Sequence, residues 1–216
     1  MKSKKLATLG GVVLLSLSLN ACAPLMVAGF AGTAIVASDR RTSGAQLEDE
    51  TIELRGSARI RDALGDKAHV NVTSFNRQVL LTGEIASERD RQTVVQLVEK
   101  IENVRSVVSE MSITPISTLG ERSNDLLITA KVKGSLVDSR DLFANAFKVV
   151  TERGTVYLMG RVTLREANSA TNVIRNVNGV NKVVRLFEII TEEELRNLLP
   201  PPPPADKPAD SGKPKT

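Results

Sequence analysis

The 216-residue chain has no tryptophan, one tyrosine and five phenylalanines. Sites that stack sugar rings or nucleobases need flat aromatic side chains, so neither class fits this composition. Cysteine occurs once, which excludes an intramolecular disulfide, so any core must hold by packing alone. Histidine also occurs once, as His69, where it opens a strand with no second ligand in view; this argues against a metal site. A Ser-His-Asp triad would need the same histidine, and no nucleophile elbow accompanies it. No glycine-rich phosphate loop is present. Neither sign of charge dominates, with 29 basic and 25 acidic residues. This is not the footprint of a protein that wraps nucleic acid.

What is present begins with Lys2, Lys4 and Lys5, followed by an apolar run over residues 6–19. That run falls short of the about 20 residues a membrane-spanning helix needs. A basic start, a short apolar stretch and small residues at a cut mark a secretory signal, read here as residues 1–21. The single cysteine, Cys22, follows at once in Leu19-Asn20-Ala21-Cys22. This stretch resembles a bacterial lipobox, with Cys22 as the lipidation residue. One acyl chain holds a protein only marginally, whereas two or more make the attachment stable. Ala23 rather than aspartate follows the cysteine. By resemblance to sorted lipoproteins, that places the chain on the outer membrane, facing the periplasm. Loss of the signal removes three lysines and leaves 26 basic against 25 acidic residues.

The chain repeats itself. Val79-Leu80-Leu81-Thr82-Gly83-Glu84-Ile85 reads against Val156-Tyr157-Leu158-Met159-Gly160-Arg161-Val162. Val94, Leu97, Val98 and Ile101 match Ala170, Val173, Ile174 and Val177, and Asn103-Val104 matches Gly179-Val180. Upstream, Ala58-Arg59-Ile60-Arg61 is set against Ala130-Lys131-Val132-Lys133. Two copies are too few for a solenoid and indicate a duplicated domain.

Periodicity orders each copy as α-β-β-α-β. A helical stripe comes first: Ile52 to Leu64 in one copy, Leu126 to Leu136 in the other. A hairpin follows, with Phe75-Asn76-Arg77 or Glu152-Arg153-Gly154 at its turn. Gly83 and Gly160 are expected to admit a helix closely or to host a bulge. Ser87 is the expected N-cap of the second helix, and Asn103 and Gly179 its left-handed terminators. A last strand closes each copy, over residues 104–113 and 180–190. The strand-helix-strand step makes the last two strands parallel. The fold class is α+β: two tandem domains, each a three-stranded mixed sheet covered by two helices. The domains are read as residues 46–114 and 121–191. Residues 22–45 form the anchor and linker, and 115–120 the connection between domains. Residues 192–216 comprise a short helix opened by a Thr191/Glu194 capping box, then a disordered proline-rich tail.

A helix, a hairpin closing on V-x-L-x-G, a second helix and a valine-rich strand together resemble the BON domain. Two such units behind a lipobox resemble the periplasmic dual BON-domain lipoproteins of Gram-negative bacteria. Residues 39–46 and Ser123-Asn124-Asp125 fit that family as well. The resemblance implies a non-enzymatic envelope protein without cofactors that supports outer-membrane integrity. It implies anionic phospholipid as partner, the cell-division site as location, and the β-barrel assembly machinery as a further partner. It places lipid binding on the opening helix of the second domain, at Leu126, Leu127, Lys131 and Lys133. The family often has a larger aromatic residue where this chain has Leu127.

Leu126 and Leu127 are adjacent, so a narrow helical stripe cannot bury both, and one is expected to be exposed. Arg55, Arg59 and Arg61 form an equally basic set on the first domain's helix. Arg40 and Arg41 either touch headgroups or start the linker. Glu84, Glu88 and Asp90 are assigned to turn and cap duty, and Phe143 and Phe147 to the core or a domain interface. The alternative to lipid binding is a protein-interaction scaffold for envelope or outer-membrane protein assembly, offering a sheet edge or an exposed helix.

Overall fold

Thr42 accepts a hydrogen bond from the Ala45 amide and starts helix α1 (Ser43–Leu64), which ends on Gly65 at φ 55°. In this computed structural model residues 39–198 are described; Cys22, the segment read as a signal and the proline-rich tail lie outside them. Strands β1 (His69–Phe75) and β2 (Gln78–Ile85) form an antiparallel hairpin. Asn76 and Arg77 turn it, both at positive φ. Ser87 caps helix α2 (Glu88–Glu99) by accepting from the Asp90 amide, as expected. Two short strands, β3 (Ser106–Ser109) and β4 (Ser112–Ile113), then run parallel to β2. The sequence suggested one unbroken strand here. The break falls at Glu110-Met111, where the Glu110 amide bonds the Leu81 carbonyl and the Met111 side chain turns into the core.

The second domain repeats the plan. Helix α3 (Leu119–Asp138) begins at a capping box between Thr118 and Glu121. Strands β5 (Lys148–Glu152) and β6 (Thr155–Thr163) form the hairpin. Helix α4 (Leu164–Arg175) crosses over to β7 (Lys182–Ile190), which is parallel to β6. A second capping box, Thr163 with Glu166, starts α4. Asn103 and Gly179 both take positive φ after their helices. Thr191 and Glu194 exchange the hydrogen bonds of a third box at the start of α5 (Glu192–Leu198).

Two glycine expectations need correction. A Cβ on Gly83, at φ 105°, would lie 2.0 Å from the His69 carbonyl oxygen. One on Gly160 would lie 2.5 Å from that of Ala146. At Gly83 the close approach is made by the backbone of the paired strand, and at Gly160 by that of the short 3-10 turn Ala144–Ala146 ahead of β5; neither is one of the covering α-helices.

Alternation along the strands builds three cores. Val79 and Leu81 face α1 and α2, with Ile52, Ile60, Val94 and Val98. Val156 and Leu158 face α3 and α4, with Ile128, Val132 and Ile174. The opposite faces of the sheets meet: Phe75 and Leu80 of the first domain pack with Tyr157 and Met159 of the second. The order is therefore helices, sheet, sheet, helices, with the two helical layers outermost. Phe147 lies in the second core, edge-to-face with Phe187 at 5.9 Å. Phe143 does not join it and is half exposed, contrary to expectation.

Polar contacts lock the same seam. Asn76 donates to Glu188 at 2.6 Å, and Lys148 reaches Glu53 and the Ser74 carbonyl. Arg40, just ahead of the first domain, is instead fastened to the second. Its guanidinium makes two bonds of 2.7 and 2.8 Å to Glu166, and both side chains are almost wholly buried. Arg41 bonds Asp39 and Asp49 and lies 4.3 Å over the Phe75 ring. Neither arginine is a free headgroup contact. Both are structural, because nearby carboxylates from the folded domains claim them.

Candidate functional site

Helix α3 buries Asp125, Ile128, Val132 and Leu136, a spacing of three and four residues that defines one face. Successive side chains turn by about 100°. On that geometry Leu119, Leu126, Ala130, Lys133 and Val137 fall within about 60° of one another, opposite the buried face. All five are exposed: Leu119 by 79%, Leu126 by 71% and Val137 by 69%, with Ala130 and Lys133 open as well. Leu127, 61% exposed, lies between this row and exposed Lys131, while Lys133 bounds the other side. The helix thus carries a largely apolar strip about 27 Å long, at 1.5 Å per residue, with exposed Ser123 inside it and a lysine on each flank. The structure brings Leu126, Leu127, Lys131 and Lys133 onto this one outward surface. Both leucines are exposed, where sequence reasoning allowed for one.

Leu119, Ala130 and Val137 were missed. The signal was available as an apolar recurrence at i, i+7, i+11 and i+18, out of phase with the core stripe. It was hidden because Leu119 was read as linker.

The basic set of the first domain is a weaker match. The sequence comparison aligned Ala58 with Ala130, but the structure aligns the helices one turn differently. Asp49, Ile52, Gly56 and Ile60 are buried on α1 as Asp125, Ile128, Val132 and Leu136 are on α3. Each pair is separated by 76 residues, so Glu50 and Thr51 stand where the second domain has Leu126 and Leu127. Leu47 and Leu54 are exposed on α1, yet the strip is interrupted by polar side chains. Arg59 donates to the Leu97 carbonyl and Arg55 lies 3.8 Å from Glu102, so these cations are partly engaged.

A second cluster lies at the seam between the domains. Glu84, fully buried, accepts from Ser117 Oγ at 3.2 Å and from Arg153 at 3.3 Å, and its Oε2 lies 2.9 Å from His69 Nδ1. Turn duty does not describe it. Glu152 of β5 is buried and accepts from Asn71 at 2.9 Å. Its carboxyl is pushed above the ordinary range by burial first and by the neighbouring Glu84 second. One ligand atom from each of His69, Glu84 and Glu152 lies within 4.8 Å of the others. The histidine read as having no second ligand in view therefore has two carboxylates beside it. The adjoining cleft, about 230 Å³, is lined in part by His69, Asn71, Glu152, Asp125, Arg122 and Leu126.

No helix among the described residues is long and apolar enough to cross a membrane. The family model of the BON domain matches residues 49–115 and 124–191. The chain is 33% identical over 189 residues to "Outer membrane lipoprotein DolP" of Haemophilus influenzae, covering 87% of this chain and 96% of that one. It is 32% identical over 154 residues to a "21 kDa hemolysin" of Actinobacillus pleuropneumoniae, covering 70% and 79%. Among solved structures, CdsD of the type III secretion system of Chlamydia trachomatis is similar at 16% identity and a TM-score of 0.28, over 66% of this chain and 96% of that one.

Proposed function

The chain belongs to the BON domain family, and on that premise we propose that it is an outer-membrane lipoprotein that docks on anionic phospholipid through its second BON domain. In this reading Cys22 carries the acyl anchor and both domains face the periplasm. The protein works by surface contact rather than catalysis and supports outer-membrane integrity. The observation that carries the reading is the strip on α3: Leu119, Leu126, Leu127 and Val137 stand in water on a helix whose other face is already buried. Monomeric proteins rarely keep such a patch without a use for it. Leucines of this kind enter the acyl boundary, and each lysine near an anionic surface adds about 1 kcal/mol. The relative named an outer membrane lipoprotein, similar along almost its whole length, supports the compartment.

The test is flotation of the non-acylated chain, residues 23–216, with vesicles of phosphatidylglycerol or of phosphatidylcholine alone. Binding is expected to the anionic vesicles, to fall with salt, and to be lost in L126E/L127E. Equal binding to neutral vesicles, or none to either, overturns the reading.

A protein-scaffold role rests on a different observation. The nine-residue strand β7 lies at the edge of its sheet and exposes Ile189, and Leu164 is exposed at the start of α4. The partner in that case belongs to outer-membrane protein assembly, with the β-barrel assembly machinery as the first candidate. Crosslinks in cells that survive L126E/L127E but vanish on altering Ile189 would favour it.

A further inference from the structure

We propose a divalent-metal site of the zinc class at the seam between the two domains, formed by His69 of β1, Glu84 of β2 and Glu152 of β5. It is independent of the lipid-docking reading.

The residues offer one imidazole nitrogen and two carboxylates, from two strands of one domain and one strand of the other. Imidazole with carboxylate suits zinc and its neighbours better than calcium or magnesium, which take oxygen ligands alone. Three protein ligands with an open fourth position is the arrangement of a zinc site that also holds water. Tetrahedral ligands at about 2.1 Å stand about 3.4 Å from one another. His69 Nδ1 and Glu84 Oε2 are 2.9 Å apart, and one ligand atom from each of the three residues lies within 4.8 Å of the other two. Side-chain rotation of a glutamate covers a gap of about 1.4 Å.

The ion would take the place of the His69 Nδ1–Glu84 Oε2 hydrogen bond, displacing its proton, while the other hydrogen bonds hold the ligands. Arg153 engages Glu84 through Oε1, whereas His69 and Ser117 meet Oε2, so cation and guanidinium would use different oxygens. Asn71 donates to Glu152 Oε2 and fixes that carboxylate from one side. Such outer contacts orient ligands in metal sites. Arg153 is shared with Glu121, Thr114 and the Pro115 carbonyl, and Arg122 turns its donors to Ser117. Asp125 spends both oxygens on the Arg153 and Gly154 amides. Glu152 enters no ion pair among the described residues. A buried carboxylate beside another buried carboxylate thus lacks a counter-charge of its own, and a divalent cation would supply it.

The experiment uses the full chain in detergent micelles, without a histidine tag, stripped with EDTA and then titrated with zinc chloride. Because His69 is the sole histidine, the imidazole nitrogens give a single set of NMR signals. One equivalent of zinc is expected to shift them and, near saturation, to raise the melting temperature by about 5 °C. E152Q and H69Q, checked as folded by their melting without metal, should each abolish the rise. Magnesium and calcium should produce none. The proposal is overturned if the imidazole signals stay in place, if either variant responds as the parent does, or if calcium reproduces the effect.

Discussion

Asp49 and Asp125 do the same work in the two domains, each reaching from the buried face of a long helix into the turn of the following hairpin. Asp49 accepts from the Asn76 and Arg77 amides, and Asp125 from those of Arg153 and Gly154. Helix and hairpin are thereby fixed before any apolar contact is counted. Asp49 further accepts from Ser74 Oγ and Arg41. Replacing Asp125 by alanine strips two turn amides of a charged acceptor, at a cost of about 2–4 kcal/mol in urea unfolding. Asp49→Ala should cost more, since four donors lose their partner.

Acid should weaken the fold in a defined order. Burial, the largest single influence, would raise the Asp49 and Glu166 carboxyls, but the hydrogen bonds to Asp49 from Ser74, Arg77, Arg41 and Asn76, and to Glu166 from Arg40 and Thr163 with the Arg40 charge, together outweigh it and hold both below their usual range. Their contribution is present above the ordinary carboxylate range, about pH 4, and is lost as pH falls through the folded values. Glu152 acts with the opposite sign: its penalty exists at neutral pH and is relieved as pH falls through its raised value. Urea midpoints followed from pH 7 downward should therefore hold or rise slightly, then drop below about pH 4. D49N should flatten the drop, and E152Q should remove the initial rise while stabilising the neutral protein.

Removing one partner of the Arg40–Glu166 pair leaves the other buried without a counter-charge. Arg40→Ala is expected to cost about 3–5 kcal/mol. Arg40→Ala with Glu166→Gln should recover part of that loss, because no charge is then stranded. Unfolding of the two variants side by side measures the difference.

Gly83→Ala should be more damaging than a single methyl suggests. The left-handed φ costs about 1–3 kcal/mol for a non-glycine residue, and the added Cβ lies 2.0 Å from a backbone oxygen that cannot step aside without breaking the β1–β2 ladder. Loss of the cooperative near-neutral melt is the expected readout.

On the proposed lipid surface, Leu119→Glu and Val137→Glu should weaken vesicle binding although both lie outside the pair of leucines legible in the sequence. Burying one aliphatic side chain is worth about 1.5–3 kcal/mol, or roughly tenfold to a hundredfold in affinity. Leu127→Trp should strengthen it, since an indole suits the headgroup level. Leu54→Glu on α1 serves as the control expected to leave binding unchanged.

The α-β-β-α-β order was readable because strand alternation and the caps at Ser87 and Thr191 are local signals that tertiary packing did not override. The register of the long helices was not. Ala58-Arg59-Ile60-Arg61 and Ala130-Lys131-Val132-Lys133 look alike, but the carboxylates of Asp49 and Asp125, not surface similarity, decide which turn is equivalent. The break at Glu110-Met111 was invisible because the flanking valines are as strand-like as those of β7. Contacts across the seam, such as Asn71 with Glu152 and Arg40 with Glu166, join residues 81 and 126 positions apart, and no periodicity reports such distances. Leu126 and Leu127 came from the resemblance to the BON lipoproteins, and their adjacency, which no single stripe can bury, added only that one of them is exposed.

The attachment of Arg40 inverts the chain's apparent mechanics. Arg40, which leads into the first domain, is riveted to the second, so a pull arriving from the amino-terminal side is felt at the helix-α4 end of the second module. Arg41, held by Asp49 and lying over Phe75, carries the same pull into the first module, so the two are loaded together rather than in series.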